Sequence, residues 1–234
     1  HPYLEHSAPL RPHRDKCRIV PLGLDPERLA AVTPDTPPPG AASVLERAGS
    51  RPLVMALGRL TYYKGFDVLL RAAAEVPDAC FAVVGQGPLL GRLQEQARAL
   101  GVEDRVVLAG GLPDADVHCL LSRCAAFCLP SVERTEAFGV VLLEAMFHGR
   151  PLVSTAIPGS GVGVVNKEGE SGLHVPVGDP AALAAALRTL LGDEALRRRL
   201  GRGARQRLAQ RFGMEPVARG VQAVYDEAVS PKSW

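Results

Sequence analysis

The chain has 234 residues, enough for one large or two small domains and for a substantial buried core. Twenty-seven Lys+Arg against 25 Asp+Glu leave a net charge of +2, which argues against a nucleic-acid footprint and against an acidic tail. No apolar run reaches transmembrane length, and the first residues do not read as a secretory leader.

His1 to Lys16 is polar and proline-punctuated and reads as a linker or crossover segment; it lacks Met, as a fragment or processed chain would. Cys17 to Leu22 suits a short strand, Asp25 to Gly40 a proline-rich loop and Ala41 to Gly49 a short helix. From Arg51 the pattern becomes regular. Short apolar runs at Pro52–Leu57, Cys80–Val84, Arg105–Ala109, Ala125–Leu129 and Pro151–Thr155 predict strands. Helical periodicity falls between them at Phe66–Val76, Pro88–Leu100, Asp114–Ser122 and from about Ala137 to Gly149. A glycine-rich loop is expected through Gly163. Helices follow over Ala181–Leu191, Glu194–Phe212 and Met214–Ala228.

This alternation predicts an α/β fold, a Rossmann-like parallel sheet with helices on both faces and a helical C-terminal tail. Ligands of such sheets bind at the carboxyl ends of the strands. Those ends carry Gly58, Gly85, Gly110, Ser131 and Pro158, so glycine and polar loops collect on one edge.

Residues Ser131 to Gly149 dominate that edge. Glu136 precedes the expected helix and Glu144 lies within it. Eight helical residues rise about 12 Å, too far for a shared proton but suited to holding a long ligand at two points. Between them, the first N–H groups at Phe138-Gly139-Val140 have no helical acceptor and suit an anion. Glu133 lies close by, but eight residues after it comes Val141, so only Glu136 has a partner at that spacing. Spacing alone leaves open a plain strand-to-helix turn with solvated acids.

Arg59 and Lys64 follow the first regular strand on the same edge. A guanidinium fork and a point charge suit a diphosphate. Gly85-Gln86-Gly87 fails the dinucleotide pattern, since the next glycine is Gly91, and there is no Walker A loop. His118, His148 and His174 lack metal-ligand spacing and read as core or surface histidines. No nucleophile elbow or Cys-His pair is evident. Five cysteines, an odd count without C-x-x-C spacing, point to a reducing, cytosolic setting, with Cys80 and Cys128 as small core residues. The arginines at Arg197–Arg199 and Arg202–Arg211 read as a solvated helix face, with a lipid or nucleic-acid patch as the alternative.

Taken in order, these pieces resemble the C-terminal, donor-binding domain of retaining GT-B glycosyltransferases of the "group 1" type, over roughly Cys17 to Tyr225. Gly58-Arg59 with Lys64-Gly65 is similar to that family's G-R-x5-K-G clamp, here with four residues between Arg59 and Lys64. Gly85-Gln86-Gly87-Pro88 is similar to its G-x-G-P turn. Arg105 to Gly110 resembles its strand leading to the base pocket. Glu136 to Glu144 matches its E-x7-E element, followed by Ala145-Met146.

The resemblance implies a role for each residue. Arg59 and Lys64 neutralise the diphosphate, and Glu136 holds sugar hydroxyls. Glu144 holds the ribose. Backbone around Ala137, Phe138, Gly139 and Val140 meets the phosphates. Gly58, Gly85 and Gly87 let the donor approach, and Leu112 lies against the base. It implies a UDP- or GDP-sugar donor, hexosyl transfer to a glycan or lipid-linked acceptor, no cofactor and no metal. The domains implied are a linker over 1–16, a nucleotide-sugar domain over 17–212 and a C-terminal helix over 213–234. That helix is expected to pack on an absent N-terminal half, which supplies the acceptor site, so the isolated domain is expected to be inactive. The setting implied is cytoplasmic, peripheral at most to the inner face of a membrane, in polysaccharide or lipopolysaccharide biosynthesis. One loop departs from the family pattern: Ala156 to Asn166 lacks the acid that many relatives carry there. Two alternatives stand beside this reading, a non-catalytic nucleotide-binding module and a nucleotide-sugar epimerase of the same architecture.

Overall fold

A computed structural model describes residues 2–230. Its frame is a six-stranded sheet: β1 (Leu53–Leu57), β2 (Cys80–Val84), β3 (Val106–Gly110), β4 (Ala126–Leu129), β5 (Leu152–Thr155) and β6 (Gly172–Val175). All neighbours pair in parallel, in the order β3-β2-β1-β4-β5-β6. The chain runs outward from β1 to β3, then crosses back to place β4 on the other side of β1. That reversal is the switch point where loops diverge and leave a crevice.

The helices are α1 (Pro2–His6), α2 (Pro26–Val32), α3 (Pro39–Ala48), α4 (Phe66–Ala74), α5 (Leu90–Ala99), α6 (Asp114–Arg123), α7 (Val140–Phe147), α8 (Val162–Val165), α9 (Pro180–Gly192), α10 (Glu194–Arg207) and α11 (Met214–Val229). They cover both faces of the sheet. Along β1, Leu53 and Met55 enter a core with α3, α6 and α7, while Val54 and Ala56 enter a second core with α4, α5 and α9. Successive strand residues point to opposite faces, so a strand buried on both must be apolar throughout. Phe66, Phe81, Phe127 and Phe212 are fully buried, each worth about 1.5–3 kcal/mol in apolar transfer.

Several sequence expectations change. Cys17–Leu22 forms no strand; only Leu24 makes a bridge, to Gly213. The proline-rich stretch is not all loop. Asp25 caps α2, accepting from the N–H groups of Glu27 and Arg28 at 3.0 and 3.3 Å, and Pro26 supplies a preset first helical residue. The expected linker over 1–16 contains α1 and a 3₁₀ segment at Arg11–Lys16. The glycine-rich loop contains α8, and the final helical run breaks into α10 and a π-turn at Leu208–Phe212. Strand β6 was not expected at all. It is a four-residue edge strand headed by glycine, with only two residues buried, too short and mixed for a clear apolar signal.

Residues 231–234, the end of the expected C-terminal helix, lie outside the described residues. Helix α11 buries none of its residues and leaves Val221, Tyr225 and Val229 exposed. Among the described residues no helix is long and apolar enough to cross a membrane.

Candidate functional site

Two loops leave the sheet at the switch point, one after β1 and one after β4. The β1 loop turns at Gly58, runs through Arg59 and forms a 3₁₀ turn at Tyr62–Lys64 before α4. The β2 loop braces it. Gly58 and Leu60 donate backbone N–H to Val84 and Gln86, at 3.0 and 2.8 Å. Gly85 has φ 143°, and a Cβ there would run into the Gly58 carbonyl, so this crossing requires glycine.

The β4 loop carries Ser131 and Glu136 back against the β1 loop. Lys64 Nζ donates to Glu136 Oε2 at 2.6 Å, and Ser131 Oγ donates to the same oxygen at 3.0 Å. Lys64 and Glu136 are each 8% exposed. A buried charge pair needs such extra hydrogen bonds to offset its desolvation. The loop after β5 closes from behind: Ser160 Oγ donates to the Glu136 carbonyl, and Gly161 N–H donates to the Ala137 carbonyl at 2.7 Å. Arg59, by contrast, is exposed and has no side-chain hydrogen bond or ion pair among the described residues.

Helix α7 starts at Val140, not Ala137. Gly139, at φ 77°, turns the chain into it, so the expected 12 Å helical separation of Glu136 and Glu144 does not hold. Residues 136–139 form the turn, and only Glu144 is helical. The Leu142 N–H is taken up by the Gly139 carbonyl at 2.8 Å. Those of Val140 and Val141 have no backbone acceptor among the described residues. Phe138 is held edge-to-face on Phe212, with ring centroids 5.9 Å apart.

Glu144 lies one helical stretch further on and lines a cavity of about 550 Å³ with Leu57, Leu112, Asp114, His118 and Met214. Its carboxylate has no hydrogen bond or ion pair among the described residues. Burial, and then the Asp114 carboxylate, push its pKa up to about 7. His118 on the cavity wall meets His148 behind it, Nδ1 to Nε2 at 3.0 Å. Burial lowers the pKa of His118, and burial with the neighbouring cations brings His148 down to about 4. Both are thus buried and neutral near pH 7.

Arg59, Lys64, Glu136 and Val140 therefore gather at the switch point, and Leu112 shares a cavity with Glu144. Gly58, Gly85 and Gly87 build the crossing loops. Sequence reasoning did not anticipate that Lys64 and Glu136 touch, and it missed Ser160 and Asp114; His118, read as a core or surface histidine, is buried beside the cavity. An Asp at the start of a helix beside the Gly110-Gly111 turn was a usable signal for Asp114. Ser131 was placed at a strand end, but its bond to Glu136 and the role of Ser160 come from loop contacts that form only in the fold. Arg207, counted in the solvated arginine run, is buried. It donates to the Val165 and Val164 carbonyls at 3.0 and 2.6 Å and pairs with Glu170.

The six-stranded, all-parallel sheet with helices on both faces is the Rossmann-like architecture of the C-terminal half of a GT-B fold. The family model described as "Glycosyl transferases group 1" matches residues 42–207, and the chain belongs to that family. It is 36% identical over 213 residues to D-rhamnosyltransferase WbpZ of Pseudomonas aeruginosa, covering 90% of this chain and 53% of that protein. It is 32% identical over 231 residues to O-antigen chain mannosyltransferase C of Escherichia coli, covering 99% and 60%. In three dimensions it resembles Anabaena Alr3699/HepE, crystallised in complex with UDP, with a TM-score of 0.76 at 23% identity over 92% of this chain and 57% of that one. The chain thus spans between half and two thirds of the length of these proteins.

Proposed function

We propose that this domain binds a nucleoside-diphosphate hexose, UDP- or GDP-linked, for retaining transfer of the hexosyl group to a glycan or lipid-linked acceptor in surface-polysaccharide synthesis. The observation that carries the reading is the buried Lys64–Glu136 pair beside the N-terminus of α7, with the Glu144 cavity adjoining. The names of the relatives, a rhamnosyl- and a mannosyltransferase, support a hexosyl donor.

In this reading the diphosphate lies between Arg59, Lys64 and the Val140 and Val141 N–H groups. When the bond from the sugar C1 to the diphosphate oxygen breaks, negative charge grows on the departing phosphate. Fixed cations and oriented N–H groups stabilise that charge without reorganisation. An ammonium has three donors, so Lys64 can keep Glu136 while reaching a phosphate oxygen. The second oxygen of Glu136 then accepts from sugar hydroxyls, and Glu144 accepts from the ribose against Leu112. The cations supply the charge, so transfer proceeds without a resident metal. The acceptor site and the exclusion of water belong to the N-terminal half, onto which α11 docks its exposed Val221, Tyr225 and Val229.

Calorimetric titration with UDP, GDP, ADP and their sugar conjugates, with and without Mg²⁺, tests this. The expected result is saturable, metal-independent binding of one nucleotide that Lys64→Ala abolishes or greatly weakens. Binding that needs Mg²⁺, or that ignores Lys64→Ala, contradicts it. A bound sugar nucleotide whose hexosyl group the full-length protein never transfers would point instead to a non-catalytic module.

A further inference from the structure

A second charged cleft lies at the opposite edge of the sheet, where Ala125 leads into β4 and Pro151 into β5. It encloses about 390 Å³ and gathers five guanidinium groups, from Arg150, Arg197, Arg198, Arg202 and Arg205. The only carboxylate among its lining residues, Glu194, is taken by Arg198 at 2.5 Å. Two of these arginines are fixed by backbone carbonyls. Arg150 is pinned by the His148 and Cys124 carbonyls at 2.8 and 3.0 Å. Arg197 is pinned by the Leu190 and Leu191 carbonyls at 2.7 and 2.6 Å. Each keeps N–H donors free. The side chains of Arg202 and Arg205 have no hydrogen bond or ion pair among the described residues. The floor is close-packed backbone: a Cβ at Gly201 would collide with the Gly149 carbonyl, so α10 presses directly onto the turn before β5.

Like charges lining one cleft repel unless an anion joins them, and the guanidinium fork matches phosphate oxygens two at a time. The cleft also has an apolar neighbour. His148 and Arg205 line both it and a cavity of about 540 Å³, walled by Pro26, Ala30, Phe147, Leu208 and Ala209. His148 stands between the two spaces as a neutral imidazole, its pKa brought down to about 4 by burial, by His118, and by Arg150 and Arg205. His148 itself therefore brings no charge to be desolvated there. A cationic cleft opening onto an apolar cavity is complementary to an anionic head on a hydrocarbon tail.

We propose that this edge of the domain is a second ligand site, separate from the switch-point site, for a phosphate group carried on a hydrocarbon chain. The phosphate engages Arg150, Arg202 and Arg205, and the first carbons of the chain enter the adjoining apolar cavity. Phospholipid is the natural source of such a group; a free phosphate would fill the cleft alone.

The test is calorimetry on the 234-residue chain at low ionic strength, with three probes. These are dihexanoyl phosphatidic acid kept below its micelle concentration, inorganic phosphate, and dihexanoyl phosphatidylcholine. Each methylene leaving water tightens binding about fourfold, so phosphatidic acid should bind at least tenfold tighter than phosphate. Phosphatidylcholine, whose head carries no net charge, should bind at least tenfold more weakly than phosphatidic acid. The double substitution Arg202→Gln with Arg205→Gln, at exposed positions, should weaken phosphatidic acid at least tenfold without changing the Tm. Ala209→Gln, a neutral polar change at the exposed rim of the apolar cavity, should weaken the lipid and spare inorganic phosphate. Arg59→Gln should leave the lipid titration unchanged. Binding that survives the double substitution, or that Arg59→Gln removes, overturns the site. Equal affinities for phosphatidic acid and phosphate overturn the hydrocarbon half of the proposal.

Discussion

The two carboxylates of the switch-point site sit in opposite electrostatic conditions. Glu136 meets an ammonium and a hydroxyl, and its charge is matched before any ligand arrives. Glu144 is largely buried and makes no ion pair, although Arg28 lines the same cavity, and burial with the Asp114 carboxylate pushes its pKa up to about 7. Glu136 therefore contributes to holding the loops together, whereas the charged form of Glu144 lacks a partner that a ligand's hydrogen-bond donors would supply. Functional strain of this kind is concentrated in the Glu144 half.

The comparison is broken most severely at Glu136. Glu136→Ala leaves Lys64 buried without its partner and should cost about 3–5 kcal/mol of stability by urea denaturation. Pairing it with Lys64→Met should recover most of that stability and none of the nucleotide binding. A small cost for Glu136→Ala alone would show that the pair does not hold the loops.

Glu144→Gln should do the reverse and stabilise. The folded protein holds the Glu144 proton up to about pH 7, while an unfolded chain releases it in the ordinary carboxylate range. The folded state thus binds more protons in between, and stability from this group falls as pH rises towards 7 and stays lower above it. At about 1.4 kcal/mol per unit, the amide should raise stability by about 2–3 kcal/mol at pH 8 and very little at pH 4. Equal gains at both values would mean that Glu144 is not the strained group.

Binding separates the remaining residues. Lys64→Ala should weaken diphosphate binding by about 1.5–3 kcal/mol, the scale of a hydrogen bond to a charged group. Arg59→Gln should cost about 1 kcal/mol or less and fade as salt is added, because an exposed charge is screened. Titrations at low and high salt distinguish the two, and a salt-independent loss at Arg59 would place that side chain deeper in the bound state.

The alternation of apolar runs, glycine breaks and helical periodicity made the parallel sheet and five of its strands legible in the sequence. The E-x7-E spacing, with Arg59 and Lys64, pointed to the edge where Lys64 and Glu136 meet in the fold. What stayed hidden depends on contacts distant in sequence or on weak local signals. The Lys64–Glu136 bond joins residues 72 apart. Strand β6 has an edge position and little apolar content. Helix α2 was obscured by surrounding prolines, although Asp25-Pro26 is a start signal in its own right. The arginines of α10 looked like solvated helix residues because their convergence with Arg150 appears only when α10 packs on the turn before β5.

The account stands most directly on Glu144 receiving the ribose. The measurement is calorimetry of the preferred nucleotide at pH 7 in buffers of different ionisation enthalpy, which counts protons released on binding. Hydroxyl donors favour the charged carboxylate, so the parent chain should release about half a proton more than Glu144→Gln. Equal proton release by both would contradict the account.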